Sequence, residues 1–121
     1  MVSTVYKILD EKLWQKARED GVFRGAGIDL ADGYIHLSTA AQAVETARLY
    51  FAGVDNLVLV AVDAAALGTA LRFEASRGGA LFPHLYGDLP LDAVLWVKPL
   101  PRGADGAHVF PDEVARPEDG Q

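Results

Sequence analysis

The sequence predicts an α+β domain, on three features of its chain order. A strand-like segment leads into an amphipathic helix, a second strand-like segment leads into a second helix, and the chain beyond residue 56 reads as a run of strands broken by turns. No internal repeat or linker interrupts this order, so the expectation is one globular domain over residues 1–110 and a flexible, acidic C-terminal tail over 111–121.

TVYKIL at 4–9 reads as the first strand. Asp10 then stands where an N-cap belongs, before EKLWQKARED, whose Leu13, Trp14 and Ala17 form the inner side of a helix that Gly21 ends. From Gly21 to Gly33 four glycines and the lack of sustained periodicity predict a loop or a pair of turns. In GYIHLS a period of two puts Tyr34, His36 and Ser38 on one side of a strand and Ile35 and Leu37 on the other. Thr39 to Gln42 fits a capping box, and Ala40, Ala43, Val44, Ala47, Tyr50 and Phe51 recur at helical spacing behind it. Thr39, Gln42 and Thr46 make the polar edge of that helix.

LVLVAV at 57–62 is an unbroken, valine-rich apolar run, the pattern of a central strand covered on both faces. AAALG at 64–68 predicts one helical turn. LRFEA at 71–75 alternates as a half-buried strand, with Leu71, Phe73 and Ala75 opposite Arg72 and Glu74. SRGGALFPHLYGDLP, with its Gly-Gly pair and two prolines, predicts a shaped loop with a short extended piece. AVLWVKPL at 93–100 is the last clear strand, and HVF at 108–110 offers a short edge strand.

Composition narrows the function. The chain has no cysteine, which excludes disulfides, thiol nucleophiles and cysteine-based zinc sites. A formal net charge of −6 disfavours phosphate-backbone binding, so no nucleic-acid partner is expected, although a small anion could be held by local donors such as Lys7, Arg24, Arg72 and Arg77. No apolar run approaches a membrane span, no membrane partner is expected, and the early charged residues indicate a cytoplasmic protein.

Two histidine segments carry the chemical interest. His36 sits beside Tyr34 and Ser38, and imidazole can exchange protons near neutral pH; the plainer reading is a half-buried ring satisfied by a neighbouring carbonyl. His84 follows Pro83 in FPHLYG, a stiff segment suited to presenting it with Tyr86; alternatively Phe82, Leu85 and Tyr86 dock the loop and His84 points to solvent. Glu74 precedes Ser76-Arg77-Gly78-Gly79 and could hold a ribose hydroxyl or stabilise positive charge; an ordinary ion pair with Arg72 or Arg77 is the structural alternative. His36, His84 and Glu74 are metal-ligand types without ligand spacing, and no metal is expected. A Gly-x-Ser-x-Gly hydrolase elbow is absent.

VYKILDEKLWQKAREDGVFRG, DGYIHLSTAAQAVETARLYF and LRFEASRGGALFPHLYGDLPLDAV together resemble the bacterial family called domain of unknown function 952, from Val5 to about Pro99. That family is similar in fold to the ADP-ribosyltransferase group, which implies two small, mostly antiparallel sheets with flanking helices around a cleft that holds NAD. The group's ribose-gripping position falls at Tyr6 or Lys7, its second motif position at His36 or Ser38, and its late catalytic position at Glu74 or His84. VYKI lacks the histidine or arginine that the group carries on its first strand.

Residues and resemblance together nominate His36, Glu74 and His84 as catalytic. Tyr6, Lys7, Ser38, Thr39, Gln42, Thr46 and Tyr86 are nominated as ligand-binding, with no cofactor assigned and NAD as a candidate substrate. The functional expectation is a nucleotide-type ligand, NAD or ADP-ribose-like, in a polar cleft, with ADP-ribosyl transfer as a candidate reaction and enzymatic activity left open. The alternative is a non-catalytic protein-interaction module on the same fold.

Overall fold

The LVLVAV run forms the middle of an antiparallel sheet, and its alternation divides the core in two. The computed structural model describes residues 2–115. In chain order the elements are β1 (Thr4–Asp10), α1 (Glu11–Asp20), β2 (Val22–Phe23), α2 (Ile28–Asp32), β3 (Ile35–His36), α3 (Ala40–Tyr50), β4 (Leu57–Asp63), α4 (Ala64–Leu67), β5 (Leu71–Ala75), β6 (Leu81–Leu85), β7 (Leu89–Pro90), β8 (Val94–Pro99) and α5 (Asp112–Ala115). Single 3-10 turns occur at Gly68–Ala70, Arg77–Gly79 and Leu91–Ala93.

Two three-stranded sheets, ordered β1-β4-β8 and β3-β6-β5, and the pair β2-β7 are antiparallel throughout. The architecture is therefore α+β, with antiparallel sheets and flanking helices. Val58, Val60 and Val62 of β4 pack with Val5, Leu9, Trp14 and Ile35 on one face, while Leu57, Leu59 and Ala61 pack with Tyr6, Ile8, Ala43 and Ala47 on the other. Burying one such valine or leucine contributes roughly 1.5–3 kcal/mol, so this strand alone supplies a large part of the apolar driving force. The large sheets join where β1 meets the chain leaving β3: Tyr6 N–H donates to Ser38 O (2.8 Å) and Ser38 N–H to Tyr6 O (2.9 Å).

Local signals hold at several ends. Asp10 accepts from Lys12 N–H (2.7 Å) to cap α1, and Gly21 closes that helix at φ +80°, a left-handed geometry that costs glycine little. Gln42 accepts from Thr39 N–H (3.0 Å) in the expected capping box.

Other expectations are corrected. Leu13 is exposed, so the inner face of α1 is Trp14 and Ala17. On α3, Val44 and Tyr50 face outward, and only the small Ala40, Ala43 and Ala47 are buried, which lets the helix lie close to the sheet. The predicted loop at Gly21–Gly33 contains β2 and the five-residue helix α2, both too short for periodicity to register. Phe73 is 40% exposed because β5 is an edge strand whose outer face has no cover.

FPHL, expected in a loop on account of Pro83, is instead the middle strand β6 of its sheet. HVF makes only an isolated bridge, Arg102 with His108. The packed chain also runs beyond residue 110: α5 buries Val114 against the α3 side of the core. The rest of the expected tail, 116–121, lies outside the described residues. Among the described residues no helix is long and apolar enough to cross a membrane.

Candidate functional site

Strand pairing gathers the informative residues. His36 on β3 is the register partner of His84 on β6, and Arg72 on β5 is the partner of His84 on its other side. Partners in a ladder project to the same face, as do residues two apart on one strand. Tyr34, His36, Phe82, His84, Tyr86, Arg72 and Glu74 therefore share one face of the β3-β6-β5 sheet. Their rings touch: Tyr34 stacks on His84 at 4.2 Å between centroids, lies 4.6 Å from His36 and 5.1 Å from Tyr86, and the two imidazoles are 5.5 Å apart.

Both histidines of this face are held by carboxylates. His36 Nδ1 is 2.6 Å from Asp29 Oδ1, and its Nε2 is 3.0 Å from Asp32 Oδ2. Asp29 is the knot of this corner, with its side chain 1% exposed. It accepts from Lys7 Nζ (2.9 Å), from Ala26 N–H (3.1 Å) and from His36 N–H (3.0 Å), and Lys7 donates in addition to His36 O (2.9 Å). Burial pushes the Asp29 carboxyl up, but the Lys7 ammonium and the N–H donors together outweigh it and hold it below the usual carboxylate value. Gly25 makes the close fit possible: at φ +104°, its added Cβ would stand 3.0 Å from Asp29 Cβ.

Across the sheet, His84 Nδ1 is 2.8 Å from Glu74 Oε1, and the Tyr86 hydroxyl donates to the same oxygen at 2.6 Å. The Tyr86 hydroxyl first, then His84, keeps the Glu74 carboxyl below its ordinary range, while the same bond raises Tyr86. Arg72 lies over the Tyr86 ring at 5.0 Å. Burial, with Asp32 and Glu74 nearby, also pushes the Tyr34 phenol up.

A cleft of about 320 Å³ opens where the two large sheets meet. Its walls come from β1 (Tyr6, Lys7, Ile8), α2 (Ile28, Asp32), the β3 segment (Tyr34, His36, Ser38), α3 (Thr46, Tyr50) and β6 (Phe82, His84). Of the residues nominated from sequence, six border it: His36, His84, Tyr6, Lys7, Ser38 and Thr46.

The other four stand elsewhere. Glu74 and Tyr86 lie behind His84, Thr39 caps α3, and Gln42 is spent on Thr39 N–H and on Leu81 O (2.7 Å). Lys7 and Ser38 reach the cleft already engaged, Lys7 with Asp29 and Ser38 through Thr46 Oγ1 (3.1 Å). Glu74 pairs with His84, with Arg72 close enough to favour its charged form, and His84, 2% exposed, does not point to solvent.

Sequence reasoning missed Asp29, Asp32 and the apolar wall of Ile28, Tyr50, Phe51 and Phe82. The signal for the aspartates was IDLAD ahead of Gly33, two carboxylates three apart and hence on one side of a single helical turn. Among the described residues no group of three or more His, Asp or Glu side chains is arranged to hold a metal ion.

Residues 8–97 match the model of a family described as a protein of unknown function (DUF952). The chain belongs to that family. The crystal structure of its relative CC0527 from Caulobacter crescentus is 49% identical and superposes with a TM-score of 0.88, covering 93% of this chain and 99% of that one. The solution NMR structure of CC0527, also 49% identical, gives 0.82 over 93% of this chain and 97% of that one. No curated protein matches the chain. The matched residues include both histidine segments.

Proposed function

We propose that the cleft binds a small nucleotide-type ligand, NAD or a molecule like ADP-ribose, on an ADP-ribosyltransferase-like fold in a cytoplasmic protein. The observation that carries this reading is the facing pair of His36 and His84 on the cleft wall, each oriented by a buried or hydrogen-bonded carboxylate. Fixed imidazoles beside hydroxyls and an apolar wall are the mixture a flat, polar-edged ligand requires, and the volume lies at the lower end for small-molecule sites. Two antiparallel sheets meeting at a cleft support the fold reading. Among the described residues, the carboxylate bordering the cleft is Asp32, so transfer chemistry at a ribose carbon is best served by Asp32, with Glu74 acting through His84. Titration calorimetry with NAD, ADP-ribose and nucleoside phosphates tests the proposal; heat from at least one supports it, and none from any, with the protein folded, overturns it.

A second reading is a protein-interaction module, favoured by Ile28 and Tyr50, exposed on the cleft lining, and by Leu30, exposed on the same short helix as Ile28. Under it, Ile28→Ser and Leu30→Ser abolish capture of a partner protein and leave small-ligand titrations flat.

A further inference from the structure

His84 has one ring nitrogen committed and one free. Nδ1 meets Glu74 at 2.8 Å, whereas Nε2 has no hydrogen-bond partner among the described residues. The side chain is only 3% exposed and borders the cleft. A buried polar atom left without a partner is uncommon, because it has given up water and received nothing in return.

The ring cannot readily exchange its nitrogens. Glu74 is itself fixed by the Tyr86 hydroxyl, Tyr34 stacks on the imidazole, and the backbone is the middle strand of a sheet. Because the carboxylate only accepts, Nδ1 carries the proton, and in the neutral ring the lone pair falls on Nε2.

We propose that Nε2 of His84 is the acceptor reserved for the ligand in the cleft, which selects molecules offering an N–H or O–H there. A carboxamide, an exocyclic amine or a sugar hydroxyl satisfies it. A carboxylate or phosphate oxygen meets the lone pair and is rejected. The proposal rests on the cleft being a ligand site, and it makes His84 a specificity determinant with Glu74 as its positioning residue.

Nicotinamide and nicotinate are suitable probes, sharing a ring and differing in whether the substituent offers N–H. Long-range ¹H–¹⁵N spectra of the free protein should show the Nδ1–H tautomer at His84, and nicotinamide should shift Nε2 and bind about tenfold tighter than nicotinate. His84→Phe keeps a flat ring against Tyr34 and should bring the two affinities to within about twofold. Should that variant fail to fold, Glu74→Gln serves, with the Nε2–H tautomer appearing and the discrimination shrinking.

An Nε2–H tautomer in the free protein, equal affinities on the unaltered protein, or discrimination that survives His84→Phe overturns the inference. If neither probe binds but NAD or ADP-ribose does, a shift of Nε2 supports the inference; an unmoved Nε2 overturns it and leaves the ligand cleft standing. Binding by none of the four removes both.

Discussion

Asp29→Ala removes the carboxylate of a buried ion pair. Lys7, with a side chain 12% exposed, then keeps a hydrogen bond to His36 O but has no counter-charge, and Ala26 N–H and His36 N–H lose their acceptor. Breaking a buried pair from one side costs about 3–5 kcal/mol, and the upper limit is set by the ability of Lys7 to shed its proton. The unfolding entropy of a chain of 121 residues is about 0.25 kcal/mol per degree, so the melting temperature should fall by ~12–20 °C.

Urea and thermal denaturation followed by circular dichroism measure both quantities. Lys7→Met should be similarly costly, since it leaves Asp29 charged in the same place. The double variant should recover at least about 2 kcal/mol relative to the sum of the single losses. A loss under about 1 kcal/mol for Asp29→Ala, or single losses that simply add, would show that water or rearranged neighbours replace the pair and that Asp29 does not organise this corner.

Two further outcomes are expected. Asp29 has a folded-state carboxyl held below its ordinary value of 3.8, so its stabilisation is present above that value and is lost as pH falls through the folded one; denaturation midpoints from pH 6 to 2 should fall less steeply for Asp29→Asn than for the unaltered protein. Tyr86→Phe takes away the largest influence depressing Glu74, so its carboxyl midpoint, followed by ¹³C NMR, should move up toward 4.5 while the Tyr34 and His84 rings stay stacked.

Elements whose signal is local were legible from the chain. Asp10 and Gly21 bound α1, Thr39 and Gln42 start α3, and six consecutive apolar residues identify β4, because caps and two-sided burial leave their mark within a few residues. β6 was obscured by Pro83, which normally argues against a middle strand, yet whose carbonyl still accepts from Leu37 N–H (3.0 Å). α2 was hidden by its length, since five residues give less than two turns of pattern. IDLAD marked Asp29 only as one of two carboxylates on a helical turn; what makes it important is Lys7, 22 residues earlier. Thr39 and Gln42 are polar residues that suit a site by type but stand outside the cleft lining, with Gln42 bonded to Thr39 N–H and to Leu81 O of β6.

The order of residues by itself determined the alternation within GYIHLS, the apolar character of β4 and the absence of any thiol chemistry. Family membership was readable too, because the two histidine motifs are contiguous in the chain. Only the tertiary structure decided that His36 pairs with His84, that Glu74 stands behind an imidazole and that Lys7 is neutralised by Asp29. A strand's period says which side chains share its face, but the neighbour it pairs with is chosen by burial summed over the whole chain, and no short window contains that sum.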